Sequence, residues 1–159
     1  MKKLLCLLLA LSLMLCGCLP RGDLSTLSGD ELVVALAFPA DDVSSMSPER
    51  KAAYTAACLE LEVMNGGLCQ FFANCPDCVP YVPEALSAIG AEDHRKLYED
   101  FLSATGIDPL DPVFQTEDMD AFCQLYELWP WEDFDDAYLS LTPIPELLEA
   151  YVQSNPDAF

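Results

Sequence analysis

The stretch Asn65-Gly66-Gly67-Leu68-Cys69-Gln70-Phe71-Phe72-Ala73-Asn74 decides the fold, because it first ends one helix and then begins another. Asn65 and Gly66 adopt positive φ at low cost, and Gly67 lets two helices approach closely. A helical pattern precedes these three residues and resumes after them. They therefore predict a sharp change of direction between two helices.

The second half of this stretch supplies core anchors and two amides. Phe71 and Phe72 are large aromatic side chains that favour burial. Gln70 and Asn74 lie four residues apart on one helix face, within reach of neighbouring backbone groups. We interpret the whole motif as structural, and a binding role for it is the alternative.

Two helices are expected before this motif. Ser28-Gly29-Asp30-Glu31 has the form of a capping box opening a short helix over 32–38, which Pro39 stops. Ser47-Pro48-Glu49 is a cap followed by proline at the first helical position, and it opens the longest helix, which runs to about Met64. Its apolar residues recur at helical spacing.

The residues after the motif also show helical patterns. Helices are predicted from Pro83 to Gly90, from Glu92 to Gly106, and over about 117–128, 132–141 and 145–153. No stretch shows sustained alternation of apolar and polar residues, which strands would require. The sequence therefore predicts an all-α fold, a single compact domain of about six to seven helices.

The first residues indicate export. Met1-Lys2-Lys3 is positively charged, and the apolar run that follows, 4–15, is too short to span a bilayer. Leu15-Cys16-Gly17-Cys18 resembles the lipobox of bacterial lipoproteins, which implies cleavage before Cys18 and lipidation of its thiol. An ordinary secretory signal is the alternative, and Cys16 is a poorer match than Cys18. We expect a signal peptide over 1–17, a tether over 18–27 and a domain over 28–159.

The charge distribution is the main functional signal. The chain has 27 acidic and 7 basic side chains, a net charge of −20, which argues against direct nucleic-acid binding. From Leu97 to Phe159 there are 15 acidic residues and no lysine or arginine. We expect an acidic face that binds a basic protein or peptide, and a merely solvated acidic surface is the alternative. If the two helices that carry them pack as a hairpin, the face comprises Glu117, Asp118, Asp120, Glu132, Asp133, Asp135 and Asp136.

Five cysteines remain beyond the lipobox, and their state is left open. Cys75 and Cys78 form a CxxC loop that suits a small disulfide in an exported protein. The alternatives are a zinc half-site completed by Cys69 or Cys123, or reduced thiols. Cys58 and Cys123 lie on apolar stripes and are expected in the core. We assign no metal and no cofactor, and keep a cysteine-centred metal or redox module as the second hypothesis.

Catalysis has little support in the sequence. His94 is the single histidine, and we expect it to be a half-buried edge residue rather than a general base. Triads and histidine-rich metal sites are therefore excluded. We expect no enzymatic activity. A carboxylate enzyme is the third hypothesis.

Three segments resemble a bacterial domain family of unknown function that includes a DNA-mimic protein. They are the motif at 65–74, Pro83-Glu84-Ala85-Leu86-Ser87-Ala88-Ile89-Gly90-Ala91, and Phe134-Asp135-Asp136-Ala137-Tyr138. The resemblance covers roughly 30–150 and implies a helical domain, with Leu68 in place of the family's usual phenylalanine. The family's DNA-mimic activity implies a cytoplasmic DNA-binding protein as partner, which an exported lipoprotein does not meet, so the fold carries over and that partner does not. The partner expected here is the basic protein or peptide that the charge distribution indicates. For an exported lipoprotein, that partner is expected at the outer face of the cell membrane or the outer membrane, with the lipid as the only membrane contact.

Overall fold

The computed structural model describes residues 24–38 and 42–159. The predicted signal peptide, Cys18 and the first part of the tether lie outside the described residues. Within them the chain forms helices and no strands, which confirms the all-α prediction and the expected number of helices. The helices are α1 Gly29–Ala37, α2 Pro48–Asn74, α3 Val82–Ala88, α4 Glu92–Thr105, α5 Met119–Leu125, α6 Trp131–Tyr138 and α7 Ile144–Ser154.

Helix α2 is bent where the motif predicts. Gly66 has φ −156° and ψ 17°, and Gly67 has φ 82° and ψ 177°, so neither residue is helical. The positive φ that we expected at Asn65 and Gly66 is therefore found at Gly67 instead. The positive φ at Gly67 is accessible to glycine and strained for other residues. The long helix thus consists of two segments that meet at an angle, and the second carries Phe71 and Phe72 into the core.

The two predicted N-caps differ in outcome. Ser47 caps α2, since its hydroxyl accepts a hydrogen bond from Arg50 N at 3.3 Å. Ser28 precedes α1 as expected, but its side chain makes no capping hydrogen bond, so the predicted capping box is wrong. The Gly29 N–H instead donates to Glu149 Oε1 on α7 at 2.6 Å. A carboxylate distant in sequence therefore takes the place of the local cap.

The core is built around α2, which packs against α1, α3, α6 and α7. Phe71 and Phe72 are both fully buried, as predicted. The Phe72 ring lies 5.3 Å from the Phe114 ring and 6.0 Å from the Trp131 ring, measured between centroids, with edge-to-face geometry. This aromatic cluster joins α2 to the C-terminal half of the chain.

The folded region begins before the predicted domain boundary. Leu24 and Leu27, which fall in the expected tether, are partly buried against the core. The last part of the segment 18–27 is therefore structured. No helix in the described part of the chain is both long enough and apolar enough to cross a membrane.

Candidate functional site

The predicted acidic face is exposed except at one position. It is formed by the segment that leads into α5, by α5 itself and by α6. Asp135 is partly buried. The exposed members are Glu117, Asp118, Asp120, Glu132, Asp133 and Asp136.

Local structure orients this surface. The Asp118 carboxylate caps α5 by accepting hydrogen bonds from Asp120 N at 2.9 Å and Ala121 N at 3.3 Å. The buried Trp131 donates its indole N–H to the carbonyl of Leu125 at 2.9 Å, which ties the end of α5 to the start of α6. This bond fixes the short connection between the two acidic helices, but they do not pack side by side as the expected hairpin.

Most acids of this half of the chain are not neutralised by neighbouring bases. In the described residues the ion pairs lie along α4, where Arg95 pairs with Glu92 and Glu99, and Lys96 pairs with Asp100. Of the 15 acids after Lys96, Glu99 and Asp100 are thus paired, and Asp135 and Glu149 are partly buried, which leaves 11 exposed and without an ion pair. The C-terminal half of the chain therefore exposes an uncompensated negative charge to solvent.

Exposed apolar side chains lie among these acids, and sequence reasoning missed them. Met119 is 70% exposed and Leu128 is 59% exposed, one at each end of the α5 region. Leu110, Val113 and Tyr126 are also exposed in the same part of the chain. The position of these two residues in the sequence could have revealed their exposure. Met119 directly follows the N-cap of a short helix, and Leu128 lies beyond the C-terminal end of that helix. The acidic surface therefore also offers single apolar side chains to a binding partner.

Asp135 does not belong to this surface, which corrects its prediction as a binding residue. Its Oδ1 accepts a hydrogen bond from Leu68 N at 3.1 Å, and its carboxylate lies directly over Gly67. Burial raises the pKa of Asp135, although the Leu68 hydrogen bond acts in the opposite direction. The side chain therefore links α6 to the bend in α2.

The amides of the motif also have a structural partner. Gln70 Nε2 and Asn74 Nδ2 both donate to Glu62 Oε2, at 2.7 and 2.8 Å. The expected backbone partners are therefore wrong for these two groups. Tyr126 donates its hydroxyl to the Gly66 carbonyl at 2.8 Å. These bonds brace the bend from both sides and support the structural interpretation of residues 65–74.

His94 is buried, with 3% exposure, and not at the half-exposed edge that we expected. Its ring packs edge-to-face on Tyr138 with centroids 4.9 Å apart. Tyr138 donates its hydroxyl to Glu60 Oε2 at 2.7 Å, and all three side chains are buried. Burial lowers the pKa of His94 and raises that of Glu60. Sequence reasoning missed Glu60, which lies on the broad buried face of α2.

The five described cysteines are free thiols. Cys58, Cys75 and Cys78 lie close enough for each thiol to shift the pKa of the others. Cys69 is buried near Asp135, and Cys123 is exposed rather than in the core as predicted. The third thiol at the CxxC loop is thus Cys58, and neither Cys69 nor Cys123 completes a zinc site there. Across residues 24–38 and 42–159, no group of three or more histidine, cysteine or acidic side chains is arranged to hold a metal ion.

A shallow depression lies between α1 and α2. Its lining includes Leu36, Met46, Tyr54 and Arg50. The Arg50 guanidinium is already bound to the carbonyls of Ala158, at 2.7 Å, and Phe159, at 3.3 Å. The lining contains no carboxylate or histidine, so this depression offers no acid–base pair.

A family model described as DMP19-like protein matches residues 44–155. The chain belongs to this family. The match confirms the predicted family with its DNA-mimic member, and it includes both the bend at Gly67 and its contact with Asp135. No curated protein and no solved structure matches the chain significantly. The acidic all-α domain described here is consistent with a DNA-mimic-like member of the DMP19-like family.

Proposed function

We propose that this DMP19-like domain is a binding protein that presents its acidic C-terminal half to a basic protein or peptide. The observation that carries this proposal is the set of 11 exposed acids after Lys96 that have no ion pair in the described chain. Glu117, Asp118, Asp120, Glu132, Asp133 and Asp136 form the centre of the binding surface. Asp135 is left out, since it supports the bend in α2.

The physical basis of the proposed binding is the density of negative charge on the surface. Duplex DNA carries one negative charge per about 1.7 Å of its axis, whereas one helix face repeats only every ~6 Å. The acids on one helix face are too far apart to reproduce that charge density, so acids from α5, α6 and the adjoining segments must act together. The exposed Met119 and Leu128 would add apolar contact, which lets the complex gain from burial as well as from charge.

The proposal includes the location of the protein in the cell. The lipobox resemblance supports a lipid on Cys18 and a domain held at the outer face of a bacterial membrane. Because the domain is so acidic, anionic head groups repel it, and the acyl chains are its membrane contact. The partner would then be a surface or extracellular protein. We propose no enzymatic activity and no cofactor.

The test is a pull-down from surface extracts at low salt with three forms of the protein. The first is the wild type. The second is the triple variant E132Q/D133N/D136N, which neutralises three exposed acids of the binding surface. The third, D77N/E84Q/D93N, neutralises the same residue types at exposed positions elsewhere.

We expect a basic protein to be retained by the wild type and the control, and to be lost from the first triple variant. Its affinity should fall about tenfold or more between ~50 and ~200 mM salt, because surface charge pairs are screened. Equal retention by both triple variants, or an affinity independent of salt, would contradict the proposal.

A further inference from the structure

Helix α5 is attached to the domain along one side only. Leu125 is 2% exposed, and Ala121 and Phe122 are half-buried, so these residues face the core. Tyr126 donates its hydroxyl to the Gly66 carbonyl at 2.8 Å, which holds the end of α5 beside the bend in α2. In the described part of the chain, no other helix packs along α5. The rest of its surface therefore faces solvent.

The solvent-facing side of α5 carries an apolar stripe. Met119, Phe122, Cys123 and Tyr126 follow one another at i, i+3, i+4 and i+7, and Tyr126 keeps helical backbone angles of φ −67° and ψ −15°. Residues at this spacing lie on one face of a helix. These four residues form the α5 stripe.

The α5 stripe is open to a partner. Met119 is 70% exposed and Tyr126 is 38% exposed, and Cys123 is an exposed thiol. The half-buried Phe122 ring lies edge-to-face against the Tyr126 ring, with centroids 5.6 Å apart. Apolar side chains in contact with one another thus remain partly in water, and a partner that covers them would gain from their burial.

Acidic side chains border the α5 stripe. Asp120 and Glu127 are seven residues apart, and helical geometry places both beside Met119 and Cys123. Glu117 and Asp118 precede the stripe. All four are exposed, and none of them has an ion pair within the described residues. Their charges are therefore free to attract a basic partner.

The opposite side of the α5 stripe meets the bend in α2. Tyr126 is bonded to the Gly66 carbonyl, and the Gln70 side chain, which covers Gly66, donates to Glu62. The half-buried Glu62 carboxylate therefore lies near Tyr126. Methionine and aromatic side chains are enriched at the dry centres of protein interfaces, with polar groups around them. The α5 stripe and its bordering acids have this arrangement.

We propose that the α5 stripe binds a basic amphipathic helix of a partner protein. The partner's apolar side chains would cover the stripe, and its lysine and arginine side chains would pair with the bordering acids. This inference rests on the proposed function, because it specifies which kind of segment the acidic surface binds.

The shape of the α5 stripe favours a helical partner. The stripe is straight and about 10 Å long, and a second helix presents apolar side chains at the same spacing of three and four residues. An extended peptide gains most of its affinity by pairing with a sheet edge, and the described residues contain no strand.

The test uses two synthetic peptides of about 18 residues, made of leucine and lysine in equal numbers. The leucines recur three and four residues apart in the amphipathic peptide, and the scrambled peptide has the same composition without that periodicity. Both peptides carry the same charge, so charge alone does not distinguish them. Binding of each labelled peptide to reduced full-length protein is measured by fluorescence anisotropy at low salt.

We expect the amphipathic peptide to bind at least about tenfold more tightly than the scrambled one and to gain helical circular dichroism when bound. Equal affinities would overturn the inference. If both peptides bind equally and both lose affinity in E132Q/D133N/D136N, the proposed function stands and the α5 stripe has no part in it. If neither peptide binds, the inference is wrong, and the pull-down from surface extracts decides the proposed function separately.

The variant M119Q/C123S tests the α5 stripe directly, because it removes apolar surface at two exposed positions. Its affinity for the amphipathic peptide should fall about fivefold or more, and its affinity for the scrambled peptide should not change. F38Q is the control. Phe38 is 51% exposed and lines the depression between α1 and α2, to which α5 contributes no residue. An equal loss in F38Q would mean that the peptide binds exposed apolar groups without selecting the stripe.

A second matched pair tests the bordering acids. D120N/E127Q should weaken binding of the amphipathic peptide, whereas D77N/E84Q, which neutralises the same residue types at exposed positions elsewhere, should leave it unchanged. Equal effects of the two variants would show that net charge, and not the border of the stripe, attracts the peptide.

A second copy of the chain is the other possible occupant, and sedimentation velocity distinguishes it. We expect the wild type and M119Q/C123S to have the same oligomeric state. Self-association of the wild type that M119Q/C123S abolishes would assign the α5 stripe to a second copy and overturn the proposal.

Discussion

Leu68 donates its backbone N–H to the Asp135 carboxylate across 3.1 Å, which joins two segments that lie far apart in the sequence. Leu68 directly follows the bend in α2, and Asp135 lies in the middle of α6. Because the bend leaves this N–H without a helical acceptor, the carboxylate satisfies it. The acid that the sequence assigned to the binding surface is thus part of the fold.

This contact predicts that Gly67 does not tolerate a side chain. G67A would force positive φ on alanine and push its Cβ against Asp135. We expect a loss of about 2–4 kcal/mol in the free energy of unfolding, measured by urea denaturation. Gly90 is a matched control, because its φ of 80° is close to the 82° of Gly67 and a Cβ there meets nothing within 4 Å. A loss in G90A as large as that in G67A would show that backbone strain alone is responsible.

The buried Glu60 predicts a pH-dependent gain in stability for E60Q. Burial raises the pKa of Glu60 in the folded protein, so at pH 7.5 its charge favours the unfolded state. Glutamine keeps an acceptor for Tyr138 without that charge, and E60Q should melt at a higher temperature than the wild type at pH 7.5. The advantage should shrink as the pH falls through the raised pKa and vanish below the unfolded value near 4.5. A difference that does not change between pH 4 and 7.5 would contradict this explanation.

The aromatic cluster predicts a large effect at Phe72. F72A removes a fully buried ring that packs on Phe114 and Trp131, and the expected loss is about 3–5 kcal/mol. L139A is the control, because Leu139 is 62% exposed and should change the unfolding free energy by less than about 0.5 kcal/mol. Denaturant unfolding measures both. Similar losses in the two variants would mean that this cluster does not hold the core together.

The proposed lipid anchor predicts a difference between two neighbouring cysteines. In bacterial cells, C18S should abolish lipid attachment and release the protein from membranes, whereas C16S should leave both unchanged. Mass spectrometry of the membrane-bound form, together with fractionation, distinguishes the outcomes. Membrane retention of C18S would favour an ordinary signal or lipidation at Cys16.

Local chemistry explains why most of the fold was predictable. Caps such as Ser47, helix-ending glycines such as Gly106, and the helix-interrupting pair Gly66-Gly67 act within a few residues of themselves. Asp135 was misassigned because a short helix with one apolar stripe does not reveal which flanking acid meets a neighbour. The cap of Gly29 by Glu149 was missed for a related reason, since its acceptor depends on how α7 packs.

The cysteines Cys58, Cys75 and Cys78 show the same limit at the level of the site. The CxxC spacing identified Cys75 and Cys78, but Cys58 looked like an ordinary core residue of an amphipathic helix. Its position near these two residues depends on the path of the chain after the bend, which brings the loop back along α2. Spacing in the sequence does not contain that information.

The hydrogen bond from Gly29 to Glu149 makes the beginning and the end of the folded chain depend on each other. If α7 detaches, α1 loses the acceptor at its first turn, and if α1 frays, Glu149 loses its donor. Amide protons in these two helices should therefore exchange with solvent as one cooperative unit. A substitution that destabilises either of these helices should therefore destabilise the other.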